Sequence, residues 1–426
     1  MFAIDSIDCG GFLQECRPTL MSMTAKDMTY LDWAASAPPE IRAVDVARDV
    51  SLQFFANPSS VHAAGRRAEQ RLGEARAQLA AALDVQPDEI LFTSGGTESN
   101  TSLLLSLLDR HRLGGADRQK MRIVTTEIEH ASVYEQARVL QGHGIACEFV
   151  RPRADGTVDP DAVARAVDPH TLLVSLMLVN NETGAVQDVR AATRAVRDAS
   201  RGGRRVIVHT DAVQALGKIP FSLRELDVDA ASFSGHKIGA PRGVGALYVR
   251  TGVSPRFLGV GGGQEGGRRP GTENLPGICA MATAAGMRRD GMEGSLREAR
   301  RKAARLIEGI RRIPGAWTVP VTRDPQDLVR WSPWIISAVF PPLPAEVVVR
   351  TAEENGYCIS TGAACSSRKK DRTRVPESMG LPPETARCAV RISIGPSTTM
   401  EDVEGFLAAM SRALPPLLDI SRGRGP

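Results

Sequence analysis

Nowhere does this sequence gather the roughly 20 consecutive apolar residues that a membrane-spanning helix requires, so no transmembrane segment or membrane partner is expected. It also lacks any CxxC pair. Its seven cysteines, Cys9, Cys16, Cys147, Cys279, Cys358, Cys365 and Cys388, are odd in number and irregularly spaced. That argues against a disulfide framework and against a zinc or other metal site, and points to a reducing cytoplasm. Internal repeats and low-complexity tracts are missing too. The first 27 residues show no basic stretch followed by an apolar core, and so do not form a signal peptide. With Met21, Met23 and Met28 close by, they suit a disordered tail or a misplaced start. A net charge of +4 arises largely from arginines alternating with acids, the pattern of a solvated surface; no direct nucleic-acid partner is expected.

What remains is an ordinary globular composition, 42% hydrophobic and 24% charged, over 426 residues: enough for one large domain and a smaller one. From about residue 43 to 248, amphipathic segments alternate with short apolar runs. The runs include residues 122–126, 172–178, 206–210, 230–234 and 246–250, and segments 63–83 and 189–200 have the helical period. Nearly continuous apolar runs predict strands buried on both faces of a mainly parallel sheet, with helices as crossovers. A glycine-rich stretch, 259–271, breaks this rhythm and precedes a charged helical segment over about 280–312. A smaller α+β region follows, with strands expected near 334–340, 357–360 and 389–393.

In an open parallel sheet, ligands sit beyond the carboxyl ends of the strands, and the polar residues of this chain gather there. Thr93-Ser94-Gly95-Gly96-Thr97-Glu98-Ser99-Asn100 ends a strand and opens a helix. Its free N–H groups suit a phosphate, or simply a capped helix start. His130, just past the run 122–126, could stack on a flat ring, move a proton, or be structural. Asp211 ends the run 206–210 and needs a partner: a protonated pyridine nitrogen, an arginine or backbone N–H groups. Lys237, in Ser234-Gly235-His236-Lys237, reaches another strand end. Pyridoxal phosphate (PLP) requires a lysine for its Schiff base, an acid for its ring nitrogen and a dipole-rich cup for its phosphate. Successive strand ends offer all three.

Cys365 follows a short strand in Gly362-Ala363-Ala364-Cys365 and precedes Arg368, Lys369 and Lys370, whose charges favour a thiolate. A reactive nucleophile and an inert loop cysteine are the two readings, whereas Cys358 suits a small core hydrophobe. Arg391 interrupts an apolar strand, as a clamp for an amino-acid carboxylate or as a structural ion pair.

Ordered motifs from about Tyr30 to the C-terminus carry a resemblance to the cysteine desulfurases (NifS/IscS-like) of the class V aminotransferase family. They are Tyr30-Leu31-Asp32, Asn57-Pro58-Ser59-Ser60-Val61-His62, the Thr93–Asn100 run and Glu129-His130-Ala131-Ser132. Asn180-Asn181-Glu182, Asp211-Ala212-Val213-Gln214 and Ser234-Gly235-His236-Lys237 continue the series. Gly261-Gly262-Gly263-Gln264-Glu265 and Gly271-Thr272-Glu273-Asn274 complete it.

The resemblance implies an α/β, fold-type I PLP-dependent transferase with a mainly parallel seven-stranded sheet and a smaller α+β C-terminal domain. The large domain is expected over 46–289, the small one over 290–426 together with 28–45, and a tail over 1–27. Lys237 would then carry the cofactor, Asp211 pair with its ring nitrogen and His130 stack on the ring. Asn181 and Gln214 would bond around the ring hydroxyl, while Gly96, Thr97, Ser234 and His236 cradle the phosphate. Thr272 would reach the phosphate of a neighbouring subunit in a homodimer, and Arg391, with Asn181, would hold the substrate. The implied activity is removal of sulfur from L-cysteine, giving L-alanine and a persulfide on Cys365 for an acceptor protein, such as an iron–sulfur scaffold or a sulfur carrier. Other class V reactions (transamination, C–S lysis, selenocysteine cleavage) are the rivals, and a non-catalytic scaffold is a remoter one. A plain transaminase has no use for a thiol at Cys365.

Three departures mark this chain. Trp33 stands where the family has Asn, Pro270 precedes Gly271-Thr272 in place of Ser, and Thr373-Arg374-Val375-Pro376 replaces a Ser-His-Val-Leu-like segment. Arg372 adds to a basic loop whose charge suits an acidic acceptor surface.

Overall fold

A computed structural model describes residues 28–112, 121–253, 261–324, 326–327, 329–362 and 373–421. Its strands are β1 (Thr29–Tyr30), β2 (Ile90–Thr93), β3 (Arg122–Thr126), β4 (Ala146–Val150), β5 (Thr171–Ser175), β6 (Ile207–Asp211), β7 (Ala230–Ser234) and β8 (Gly245–Val249). Beyond them come β9 (Trp317–Val319), β10 (Ile335–Val339), β11 (Tyr357–Cys358), β12 (Ser360–Thr361) and β13 (Ala389–Ser393).

Seven strands form one sheet in the order β2-β8-β7-β6-β5-β3-β4. Only β8 runs against its neighbours; the other pairings are parallel. β5, β6, β7 and β8 are buried at every residue, as strands covered on both faces must be. The mainly parallel seven-stranded sheet of an α/β transferase is therefore present. A four-stranded antiparallel sheet, β12-β13-β10-β9, supports a second core that includes Ile336, Phe406 and Met410. Leu31 and Ala34, from the start of the described chain, pack into that same core.

The helix Ala63–Leu83 buries Ala68, Leu72, Ala75, Leu79 and Leu83, the three- and four-residue spacing of one helical face. His62 Nδ1 caps it by accepting from Gly65 N at 3.1 Å. Among the described residues no helix is long and apolar enough to cross a membrane.

Three expectations need correction. Within the apolar run 172–178 the regular strand ends at Ser175; Leu176 N and Leu178 N still bond β6, but Met177 N bonds the Glu129 side chain at 2.6 Å. The charged segment near 280–312 is two helices, Leu275–Asp290 and Met292–Arg311, parted at Gly291. Cys358 is half-buried on a two-residue edge strand rather than in the core.

Candidate active site

Asp211 is the last residue of β6 and Ser234 the last of β7; Met177 lies just beyond β5 and His130 just beyond β3. All four line one pocket at the carboxyl edge of the large sheet, where the helix Gly96–Arg112 also begins. Gly96 and Thr97 bring to it first-turn N–H groups, which have no partner within their own helix. Gly96 has reason to be glycine: a Cβ there would stand 2.7 Å from Val213 Cγ2. Ser234 and His236 face the same end. Burial, then the neighbouring Lys237, Arg242 and Lys218, push the His236 imidazole down to about 4, so it is neutral at physiological pH. Its Nδ1 shares a hydrogen with Ser36 Oγ at 3.2 Å.

Asp211 forms the floor. Only 4% exposed, its Oδ1 accepts from Val213 N at 3.0 Å and its Oδ2 from Asn100 Nδ2 at 2.7 Å. Asn100 donates a second bond to Ser132 Oγ at 2.8 Å, and its own Oδ1 is buried without a hydrogen-bond partner. His130 is the N-cap of the helix Ala131–Gly142, its Nδ1 accepting from Ser132 N at 3.2 Å.

Lys237 Nζ donates to the carbonyls of Ala34 and Ala35, both at 2.7 Å. Ala34 O also takes Gln214 Nε2 at 2.9 Å, and Gln214 Oε1 accepts from Lys218 Nζ at 2.5 Å. Desolvation, with Lys237, Arg288 and Arg391 nearby, holds the Lys218 amine well below the usual lysine range. Arg391, in the middle of β13 and 2% exposed, pairs with Asp32 Oδ1 at 2.8 Å and donates to Asn181 O at 3.0 Å. The ion pair considered for Arg391 thus exists, and its guanidinium still lines the pocket.

Thr272 is exposed and is not among the residues lining this pocket. Cys365 lies outside the described residues; Gly362, three positions before it, accepts from Arg391 at 3.4 Å. Sequence reasoning assigned no role to Glu129, Glu182, Asn100 or Arg374, all of which line the pocket. Glu129 is fully buried, and burial followed by the charge of Asp211 raises its carboxyl to about 8. Burial raises Glu182 as well, against the pull of Arg374, Arg391 and His130. Three of the four stood inside quoted motifs; an acid ending an apolar run was the available signal. Among the described residues no group of three or more His, Cys, Asp or Glu is arranged to hold a metal ion.

A strand-end lysine, a buried acid and an anion-binding helix start, set on this sheet, define an α/β transferase of fold type I. The aminotransferase class-V family model matches residues 29–406. A cysteine desulfurase of Gluconacetobacter diazotrophicus is 36% identical over 395 residues, covering 92% of this chain and 94% of that one. A solved NifS-like protein superposes with a TM-score of 0.82 at 33% identity, over 91% of this chain and 99% of its own. Another solved structure, SspA in complex with cysteine, gives 0.71 at 28% identity, over 87% and 99%. The chain belongs to the aminotransferase class-V family, among its cysteine desulfurases.

Proposed function

We propose that this protein uses PLP, held by Lys237, to take sulfur from L-cysteine, leaving L-alanine and a persulfide on Cys365. One observation carries the cofactor assignment. Asp211 is a buried carboxylate held by the Asn100 amide and the Val213 N–H, in a pocket that also presents a lysine amine and a helix start. A protonated ring nitrogen would be a countercharge for it, and a phosphate would suit the N–H groups of Gly96 and Thr97 with Ser234 and His236. The neutral His236 donates to an oxyanion without adding charge. Asn181 and Gln214 line the same pocket and would be the residues to bond a ring hydroxyl there.

Bound there, PLP acts as an electron sink for the carbon atoms of the substrate. The rest is done by the protein. Lys237, the residue that would hold the cofactor, is oriented by the carbonyls of Ala34 and Ala35, and its amine would be placed to hold or move a proton at the pocket. His130, its Nδ1 engaged by Ser132, has Nε2 to move a proton and its ring face to stack. Arg391 orients the substrate carboxylate from its fixed place beside Asp32. The Cys365 thiolate attacks the substrate sulfur: the S–S bond forms as the C–S bond breaks, and the carbon keeps the electron pair and takes a proton.

The same reading makes the enzyme a homodimer in which Thr272 serves the neighbouring pocket. An exposed Thr272, together with Leu52, Phe55 and Val61 at 71%, 82% and 89% exposure, supports it. The basic residues 368–372 suit an acidic acceptor protein, and the unpaired cysteine pattern suits the cytoplasm.

The test is sulfide and alanine release from cysteine by wild type, Lys237→Ala and Cys365→Ala, alongside the visible band of the lysine-bound cofactor. Wild type should show the band and release both products; Lys237→Ala should lose both, and Cys365→Ala should keep the band and lose sulfide. Wild-type sulfide release from Cys365→Ala would overturn the role given to that thiol.

A further inference from the structure

The turn that follows β3, residues 127–129, ends directly on His130, and each of its three carbonyls is held from outside. Ile128 O accepts from Asn180 Nδ2 at 2.9 Å. Glu129 O accepts from Arg374 at 2.6 Å, and Glu127 O accepts from the other terminal nitrogen of the same guanidinium. One planar fork therefore spans the two outer carbonyls of the turn, a geometry that a lysine ammonium cannot reproduce. The fork is itself braced. Its carbon lies 4.0 Å from the centre of the Tyr134 ring, and that ring packs at 4.9 Å against Phe149 of β4. On the other side, the helix Arg374–Ser378 is anchored in the large core through Val375 and Met379.

Arg374 belongs to the segment in which this chain departs from the desulfurase pattern, and it comes from the C-terminal part of the chain, far in sequence from the turn it grips. We propose that Arg374 is a positioning residue, whose guanidinium fixes the turn 127–129 and so sets the angle at which His130 faces the pocket. Asn180 holds the middle carbonyl of the turn, and Arg374 holds the two outer ones, on either side of it. The catalytic consequence rests on the functional reading above; the structural consequence does not.

The experiment has two arms. In cofactor-free protein, hydrogen exchange at residues 127–134 should quicken in Arg374→Met and less so in Arg374→Lys, with β3 itself unchanged. In the loaded enzyme, kcat for sulfide release should fall by about 10- to 100-fold. KM for cysteine should stay within about threefold, and the cofactor band should shift. Millimolar guanidinium should restore part of the rate to Arg374→Ala. Unchanged exchange together with a wild-type kcat in Arg374→Met overturns the proposal. So does a wild-type Arg374→Lys, the variant to use if Arg374→Met fails to fold, because a single ammonium would then suffice. A wild-type protein that released no sulfide would sink the functional reading alone, leaving the exchange arm to decide on Arg374.

Discussion

Asn100 stands between Asp211 and Ser132, its amide nitrogen 2.7 Å from one and 2.8 Å from the other, so a single buried amide ties Asp211 to the helix that His130 caps. It can be replaced at nearly constant shape. Asn100→Asp would set a second carboxylate against Asp211; the two cannot both stay ionised, and Asp211 loses its grip on a ring nitrogen. PLP affinity should fall by about tenfold or more, roughly 1.4 kcal/mol or above, read by titrating the cofactor-free protein. Asn100→Ser should fall less.

Glu129 makes a prediction about pH. Its carboxyl is raised from 4.5 to about 8 in the folded protein, chiefly by burial, and the unfolded chain keeps the ordinary value. Between those two values the folded state holds a proton that the unfolded state has lost. The stability from this group is therefore complete below pH 4.5 and drains away as pH rises toward about 8. Glu129→Gln removes the titration. In cofactor-free protein its stability relative to wild type should climb across that window, then level off. Urea denaturation at several pH values checks the slope; parallel curves would mean the carboxyl is ionised throughout.

Trp33 and Gly395 make a matched pair. A Cβ at Gly395 would come within 2.0 Å of Trp33 Cδ2, and Trp33 is held by its own bond from Nε1 to Tyr30 O at 3.1 Å. Gly395→Ala should cost roughly 1–3 kcal/mol by overpacking. In a Trp33→Asn background, which restores the residue usual in the family, most of that cost should vanish. A double-mutant cycle by thermal unfolding measures the coupling.

Arg391→Lys should raise KM for cysteine by about tenfold with a smaller effect on kcat, because an ammonium cannot face Asp32 and a carboxylate together. Steady-state kinetics separate the two. An unchanged KM would move the substrate carboxylate elsewhere in the pocket.

Strands buried on both faces were the most legible part of the fold: the apolar runs at 122–126, 230–234 and 389–393 match β3, β7 and β13 residue for residue. β4 was not, since its burial alternates along Ala146–Val150 at the sheet edge and leaves no continuous run. The site was legible where a polar side chain ends or follows a strand, as at Asp211 and Lys237, which both line the pocket. It was hidden where the partner is backbone: nothing in an alanine announces that Ala34 O will receive both Lys237 and Gln214. Arg374 stood out as a departure, yet its purpose depends on a turn 245 positions away along the chain.

The pairing of Asp32 with Arg391, across 359 positions, also has a consequence for biosynthesis. A ribosome delivers the chain from one end, so Lys237, Asp211 and the helix start at Gly96 all emerge well before β13 does. The pocket cannot close around a substrate until that last strand is out. A nascent chain can therefore have exposed every strand of the large sheet while its pocket still lacks the Arg391 side of its wall.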